Sequence, residues 1–342
     1  MPPDIREVRF DGTPRQRGRR RGKRLRNTLT IPETGDINDR FVDACVERVR
    51  RAYPPALEEF EGILETSGFG RRRFRAYHFA RTESRVGCTM FGVPAGLTPP
   101  GTDAVVGHNY DWATADLKWC ELHRYHNPEA RDRLAYTHHW AGLADVLNDA
   151  GLYVGISSLP AAPVRSPGVQ WNLAVDMVSE RCSTVSGAAE ALASIRHLRP
   201  MSYLLADAGG NVGIVEALPK RVRFRTAKWA PVAAANLRRA GKLLADHSGD
   251  GPPGPPENPV DHDVDSERRS ARRVERVLEL LADNQADQGA AEDVLSDHSA
   301  PICRHREPDW GTIWSAVCLP DEGRLCIAPG PPCRHTYRDY RL

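Results

Sequence analysis

No run of about 18 apolar residues occurs in this chain, so no segment reads as a membrane span. The opening MPPDIREVRF contains no apolar h-region, and no signal peptide is visible there. None of the eight cysteines forms a C-x-x-C pair, which argues against a structural zinc site. Neither sign of charge dominates: 47 Lys and Arg against 45 Asp and Glu leave a net charge of +2, which gives no reason to expect nucleic acid as a partner. No internal repeat is present. These absences point to a cytosolic protein with free thiols rather than a disulfide framework, needing no cofactor and no metal.

The 342 residues make one large domain or two modest ones, long enough to bury a substantial core. Apolar residues at 40% and charged residues at 27% describe a globular chain. The one local charge excess is RQRGRRRGKRLR at 15–26, read as a solvated helix face or flexible arm in preference to a polyanion site. Residues 40–66 carry a helical stripe of Val42, Cys45, Val46 and Val49, then Leu57, Phe60, Ile63 and Leu64. YPP splits that stripe into two helices, because proline breaks the hydrogen-bond ladder. The first 70 residues or so thus read as largely helical.

From Gly87 the texture becomes β-like. TDAVVGHNYDW, RLAYTHHW and GLYVGISSL are short strand runs. SYLLADAGGNVGIVEAL (202–218) reads as a hairpin around a Gly-rich turn, and RVRFR and WAPVAAAN continue the strands to Asn236. WNLAVDMVSERC and STVSGAAEALASIRHL read as two helices between strand groups. A Pro/Gly/acidic loop fills 247–265. A helix capped by Ser266 follows, then the short helix GAAEDVLSDH and a closing hairpin, GTIWSAVCLPDEGRLCIAPG. Hairpin-linked strands imply antiparallel sheets, and helices outside two such sheets give a layered α+β fold.

Within SRVGCTMFGV (84–93), Cys88 sits in an apolar run. The plain reading is a buried, inert thiol. A nucleophilic thiol acts as thiolate and needs a base or a cation beside it. Twelve histidines are available, and His138 and His139 in YTHHW alternate on a strand, but spacing singles out no partner. A second device is cutting the peptide bond before the cysteine. The new α-amino group has a reference pKa of about 7.7–8.0, below a free thiol's roughly 8.5, and serves as the base. Gly87 leaves the thiol room to swing back onto the preceding carbonyl.

GCT followed by GHNYDW resembles the Ntn-hydrolase family that includes acyl-CoA:6-aminopenicillanate acyltransferase, the C45 peptidases, and more distantly the choloylglycine hydrolases. The likeness continues in order. FDGTPRQRGRRRG resembles the family's G-x-P-x-x-x-G opening, LNDAGLYVGI its N-E-x-G-L turn, and SYLLADAGGNVGIVEA its D-x-x-G…E hairpin. SERRSARR (266–273) resembles its S-x-x-R-x-x-R helix start, and GTIWSAVCLPDEGRLCIAPGPPCRHTYRDY its closing hairpin and tail. The resemblance implies a four-layer αββα sandwich made as a precursor. Autocleavage between Gly87 and Cys88 would give a mainly helical segment (1–87) and a larger one (88–342) within one composite domain, an α/β heterodimer.

The resemblance also implies roles. Cys88 is the nucleophile and its own amine the base. Asp111 in NYDW holds and orients the ammonium, although a strand-end turn residue is the plainer reading. Asn236 completes the oxyanion hole, with AAANLRR in place of the family's T-N-H. Asn148 supplies a second donor, or is a turn residue before Gly151. Arg269 is the buried arginine near the amine, and Ser315 is linked to maturation. The implied chemistry is hydrolysis of a small-molecule linear amide or thioester through acyl-Cys88. The alternative is an acyltransferase of secondary metabolism, moving an acyl group from acyl-CoA or a carrier protein to an amine. A non-catalytic binding protein of the same fold and a papain-like Cys/His hydrolase are further readings. RRRFR (71–75), just before the expected cut, is read either as attracting an acidic substrate or as solvated.

Overall fold

A computed structural model describes residues 5–26, 31, 38–81, 87–138, 142–159, 166–236, 242–246, 264–282 and 285–342. Most of the 247–265 loop, His139 and the Ser266 side chain lie outside the described residues. The chain begins with β1 (Arg6–Asp11), α1 (Pro14–Leu25), α2 (Asp39–Ala52), α3 (Pro55–Ser67) and α4 (Arg71–Ala80). Next come β2 (Gly87–Val93), β3 (Val105–Ala113), a 3-10 turn over Thr114–Trp119, β4 (Glu121–His126), β5 (Arg133–Thr137), β6 (Asp145–Asn148) and β7 (Tyr153–Ser158). Helices α5 (Trp171–Arg181) and α6 (Val185–Ala193) precede β8 (Met201–Ala206), β9 (Val212–Ala217), β10 (Arg221–Ala227), β11 (Val232–Ala234) and β12 (Lys242–Asp246). The last part holds α7 (Val264–Leu280), α8 (Gln288–Ser296), β13 (Trp310–Leu319), β14 (Arg324–Ala328) and β15 (Arg338–Arg341).

The strands form two sheets, one of nine in the order β1-β4-β5-β6-β7-β8-β9-β10-β12 and one of six in the order β11-β2-β3-β13-β14-β15. Every pairing is antiparallel except β1 with β4. Helices α5 and α6 cover the outer face of the large sheet, and α7 and α8 that of the small one. This is the α+β sandwich of two sheets between helical layers expected from the motifs. Strand alternation sorts the side chains of β2. Cys88 and Met90 enter the core between the sheets, while Phe91 and Val93 join Val274 and Val277 of α7 in a second core.

The basic run forms a helix with one solvated face (Arg15, Arg19, Arg20, Lys23, Arg26) and one buried face. Thr13 and Gln16 form a capping box, and Pro14 opens α1 where its missing N–H costs nothing. Arg17 and Arg21 are buried, set against Glu59 of α3 and, for Arg17, Glu180 of α5. Arg15 and Arg19 meet Glu65, Arg20 meets Asp11, and Arg24 meets Glu121. The chain itself supplies the anions. Helices α1 and α3 cross on glycines: a Cβ at Gly18 would lie 2.1 Å from the Glu59 carbonyl oxygen, and one at Gly62 would lie 2.2 Å from that of Arg15. RRRFR likewise opens α4, and its arginines pair with Glu61, Asp39 and Asp43. An acidic substrate is not needed to explain either run.

The segment 1–87 is thus knitted into the rest. Strand β1 extends the large sheet, and the Tyr53 hydroxyl donates to Glu180. Among the described residues, no helix is long and apolar enough to cross a membrane.

Candidate active site

Strands β2 and β3 pair so that Gly87 lies opposite Asp111 and Cys88 opposite Tyr110. Strand β13 flanks β3 on the other side, with Thr312 beside Asp111 and Trp314 beside Tyr110. The Gly87–Cys88 peptide therefore starts a central strand whose neighbour carries a carboxylate at the same level.

Asp111 is fully buried. The Thr312 hydroxyl donates to its Oδ1 at 2.8 Å. Two guanidiniums face its Oδ2, Arg273 at 3.6 Å and Arg304 at 3.7 Å. Both distances exceed hydrogen-bond length, and Oδ2 has no hydrogen-bond partner among the described residues. Burial raises the carboxyl to about 6, a rise that Arg304, Arg273 and Thr312 oppose.

Arg273 joins the pieces. It comes from α7 and is buried, which lowers its pKa. Its Nη1 donates to the Cys88 carbonyl at 3.2 Å and to the Thr89 hydroxyl at 3.1 Å. Its Nη2 donates to Asn236 Oδ1 at 2.9 Å and to the Ser270 hydroxyl at 3.1 Å. Four acceptors and one carboxylate fix this fork. The buried arginine on this helix is Arg273, not Arg269. Arg269 is exposed, and Arg273, four positions on and one turn along the same face, is the one that enters the cluster.

The Cys88 thiol is fully buried among apolar and aromatic groups. Burial pushes it well above the ordinary thiol range, and the Asp111 and Asp145 carboxylates add to the rise. The backbone N–H of Asp111 and the charge of Arg273 pull the other way. Beneath it lies a rigid polar floor. Trp314 stacks on Tyr110 with ring centroids 3.8 Å apart. The Trp314 indole donates to Asp145 at 2.7 Å, Tyr153 also donates to Asp145, and His108 Nδ1 lies 2.7 Å from the same carboxylate. No histidine hydrogen-bonds to Cys88 among the described residues. His138 meets the Tyr110 hydroxyl at 3.3 Å, and burial, aided by Arg81, lowers it to about 3, so it is neutral at ordinary pH. Among the described residues no Cys88–His pair is formed.

The other expected residues divide. Asn236 reaches the cluster through Arg273, with its amide nitrogen donating to the Ser158 carbonyl at 2.9 Å and hydroxyl at 3.1 Å. Asn148 does not reach it. Its amide donates to the Ser179 and Cys182 carbonyls at 2.9 and 2.8 Å, while its Oδ1 accepts the N–H groups of Ala150 and Leu152. Its amide binds the last carbonyls of α5 and its Oδ1 holds the turn to Leu152, so all of its side-chain polar groups are engaged away from the charged cluster. Ser315 is buried against the Tyr337 hydroxyl at 2.6 Å, apart from the charged cluster. Arg273, Arg304, Thr312 and the Asp145 floor were not singled out from sequence. Only Arg273 left a signal there, as the second arginine on one face of SERRSARR.

The structures this chain resembles include the Caenorhabditis elegans ortholog of N-acylethanolamine-hydrolyzing acid amidase. That match has 10% identity and a TM-score of 0.48, covering 75% of this chain and 100% of that one. A single-residue variant of conjugated bile acid hydrolase from Clostridium perfringens matches at 11% identity and TM-score 0.41, over 76% and 91% of the two chains. Penicillin V acylase from Agrobacterium tumefaciens matches at 15% and 0.35, over 72% and 77%. No curated protein matches. The sequence model of the acyl-coenzyme A:6-aminopenicillanic acid acyl-transferase family matches residues 97–332. Gly87 and Cys88 precede that span, but it takes in Asp111, Asn236, Arg273, Arg304 and Thr312, the groups that surround the Gly87–Cys88 strand. With more than half of its length so matched, the chain belongs to the acyl-coenzyme A:6-aminopenicillanic acid acyl-transferase family.

Proposed function

We propose that this protein is a self-processing N-terminal-nucleophile enzyme in which Cys88 carries the acyl group of a small amide or thioester. One observation carries the reading. Across from the Gly87–Cys88 peptide lies a buried carboxylate whose Oδ2 lacks a hydrogen bond among the described residues. An α-ammonium freed at Cys88 supplies the donor that oxygen lacks.

In the uncut chain burial holds the thiol protonated. For the cut, the Cys88 sulfur attacks the Gly87 carbonyl and the C–N bond breaks. Nitrogen takes the thiol proton, and water hydrolyses the resulting thioester, leaving residues 1–87 with a new carboxylate. In the mature enzyme the Cys88 amine accepts its own thiol's proton, and Asp111 orients the ammonium. The thiolate attacks the substrate carbonyl. An Asn236 amide hydrogen, exchanged from Ser158, and a backbone N–H receive the oxyanion. The leaving amine or thiol takes the proton, and acyl-Cys88 forms. Water then completes hydrolysis, whereas an amine acceptor completes transfer. The buried Arg17–Glu180 pair and the β1–β4 pairing support a heterodimer that stays together after the cut.

The test is the intact mass of purified wild type and Cys88→Ala. Two products broken between Gly87 and Cys88 in wild type, one uncut and inactive chain in the variant, and acylation of Cys88 by an electrophilic acyl probe are expected. A fully active chain that keeps the Gly87–Cys88 bond refutes the reading.

A further inference from the structure

The loop between α8 and β13 and the turn after β14 bring together four side chains that the chemistry above does not use. His298 Nε2 and His305 Nε2 lie 2.9 Å apart, and Cys303 Sγ and Cys333 Sγ 3.6 Å apart. One donor atom from each of the four lies within 4.8 Å of all the others. Both cysteines are free thiols. Cys303 is buried, His305 half-buried, and His298 and Cys333 exposed, so the group opens to solvent on one side.

We propose that His298, Cys303, His305 and Cys333 form a Cys2His2 site for a tetrahedral transition-metal ion, zinc in the first place. Two thiolates and two imidazoles are the donor set zinc takes in closed structural sites. A tetrahedron with Zn–S of about 2.3 Å and Zn–N of about 2.0–2.1 Å puts the sulfurs roughly 3.8 Å and the nitrogens roughly 3.3 Å apart. The separations found fall within a few tenths of an ångström of both. Binding releases the two thiol protons and leaves a neutral complex. The missing C-x-x-C pair argued against zinc. Here three ligands sit on one loop, and the fourth is brought in by the tail 30 positions beyond Cys303.

The site has a consequence for Asp111. Arg304 lies between the ligands Cys303 and His305, and its guanidinium faces Asp111. Its backbone N–H donates to the Thr312 hydroxyl at 3.0 Å, and its carbonyl accepts the Thr312 N–H at 2.7 Å. The same Thr312 hydroxyl donates to Asp111. A metal here clamps the loop to the tail and fixes two of the three partners of the buried carboxylate, Arg304 and Thr312. Metal binding stands or falls independently of the Cys88 reading.

The test is metal analysis by mass spectrometry on full-length protein purified without chelator, then stripped and reloaded with zinc. The expected result is about one zinc per chain, with loss of most of it in His298→Ala and in Cys333→Ser. Both positions are exposed, so the fold should survive, and circular dichroism checks this. Cobalt substitution should give the intense visible bands of a tetrahedral thiolate site in wild type and not in the variants. An absence of bound zinc with all eight cysteines titrating as thiols overturns the proposal. So does a Cys303–Cys333 disulfide, seen as the mass loss of two hydrogens, or zinc retained equally by both variants.

Discussion

Replacing Arg273 by methionine keeps the length and apolar stem of the side chain and removes its charge and all its donors. Four hydrogen bonds of 2.9–3.2 Å and the 3.6 Å pairing with Asp111 disappear together. Hydrogen bonds to a charged group contribute roughly 1.5–3 kcal/mol each, but they share one guanidinium and do not add. Breaking a buried ion pair from one side costs about 3–5 kcal/mol, because the other charge stays buried, and this bounds the effect. Urea unfolding at pH 7.5, in a Cys88→Ala background that rules out self-cleavage, should show R273M less stable by about 3–5 kcal/mol with an unchanged m-value. Arg273→Lys keeps the charge without the fork and should fall between. The loss should shrink at pH 4.5, where Asp111 is protonated in the folded chain and the ion-pair part is gone. A loss below about 1 kcal/mol, or one independent of pH, refutes the role given to this arginine.

Four other outcomes follow from the geometry. In the Cys88→Ala background the Asp111 carboxyl titrates near 6 when folded and near 3.8 when unfolded. The folded chain then holds the extra proton between those values, and stability contributed by Asp111 is lost as pH rises through them, by roughly 3 kcal/mol at 1.36 kcal/mol per unit. Asp111→Asn should therefore gain on its parent by up to that amount between pH 4 and pH 7 in urea titrations, whereas a constant difference would contradict the raised value. Asn236→Ala should lower kcat by about 10²–10³ with cleavage at Cys88 still measurable by mass. Asn148→Ala should instead lose about 1–3 kcal/mol of stability, with turnover per folded molecule within a few-fold of wild type. Gly18→Ala forces a Cβ to within 2.1 Å of the Glu59 carbonyl and should lower stability by about 1–3 kcal/mol in thermal unfolding.

The sequence shows elements where one periodicity decides them. Val42, Cys45, Val46 and Val49 are buried along α2, and the break at YPP falls between α2 and α3. The Gly-rich turn at 207–211 joins β8 to β9. It reads RRRFR and the outer face of the first basic run correctly as solvated, but it misses the buried Arg17 and Arg21 for a physical reason: an arginine looks solvated until its carboxylates are found, and Glu59 and Glu180 come from other helices. The same holds at the site. Cys88, Asp111 and Asn236 stand in motifs of their own, but Arg304 and Thr312 reach Asp111 from beyond residue 300, across a sheet whose register no local pattern shows. Asn148 shows the converse. Its motif is real, yet its side chain is taken up by the turn it builds and by the end of α5, which no local pattern shows.

Burial gives the cluster an order of events. An amine base is not available while the Gly87–Cys88 bond stands, and the neighbouring carboxylate disfavours the thiolate instead of helping it. A nearby histidine would have activated the thiol in the uncut chain, but among the described residues none bonds to it, and His138 and His108 are turned to Tyr110 and Asp145. On the proposed reading, cleavage changes this by adding one cation. An ammonium at residue 88 lies beside Asp111, lowers the carboxyl from its raised value, and stabilises the thiolate on the same Cα. Arg273 and Arg304 can then be understood by what they do before the cut. They hold a buried carboxylate partly ionised without bonding directly to its Oδ2. If either guanidinium closed to hydrogen-bond length, it would take the place the amine needs. On the proposed reading, the 3.6 and 3.7 Å separations leave that place open for the new amine.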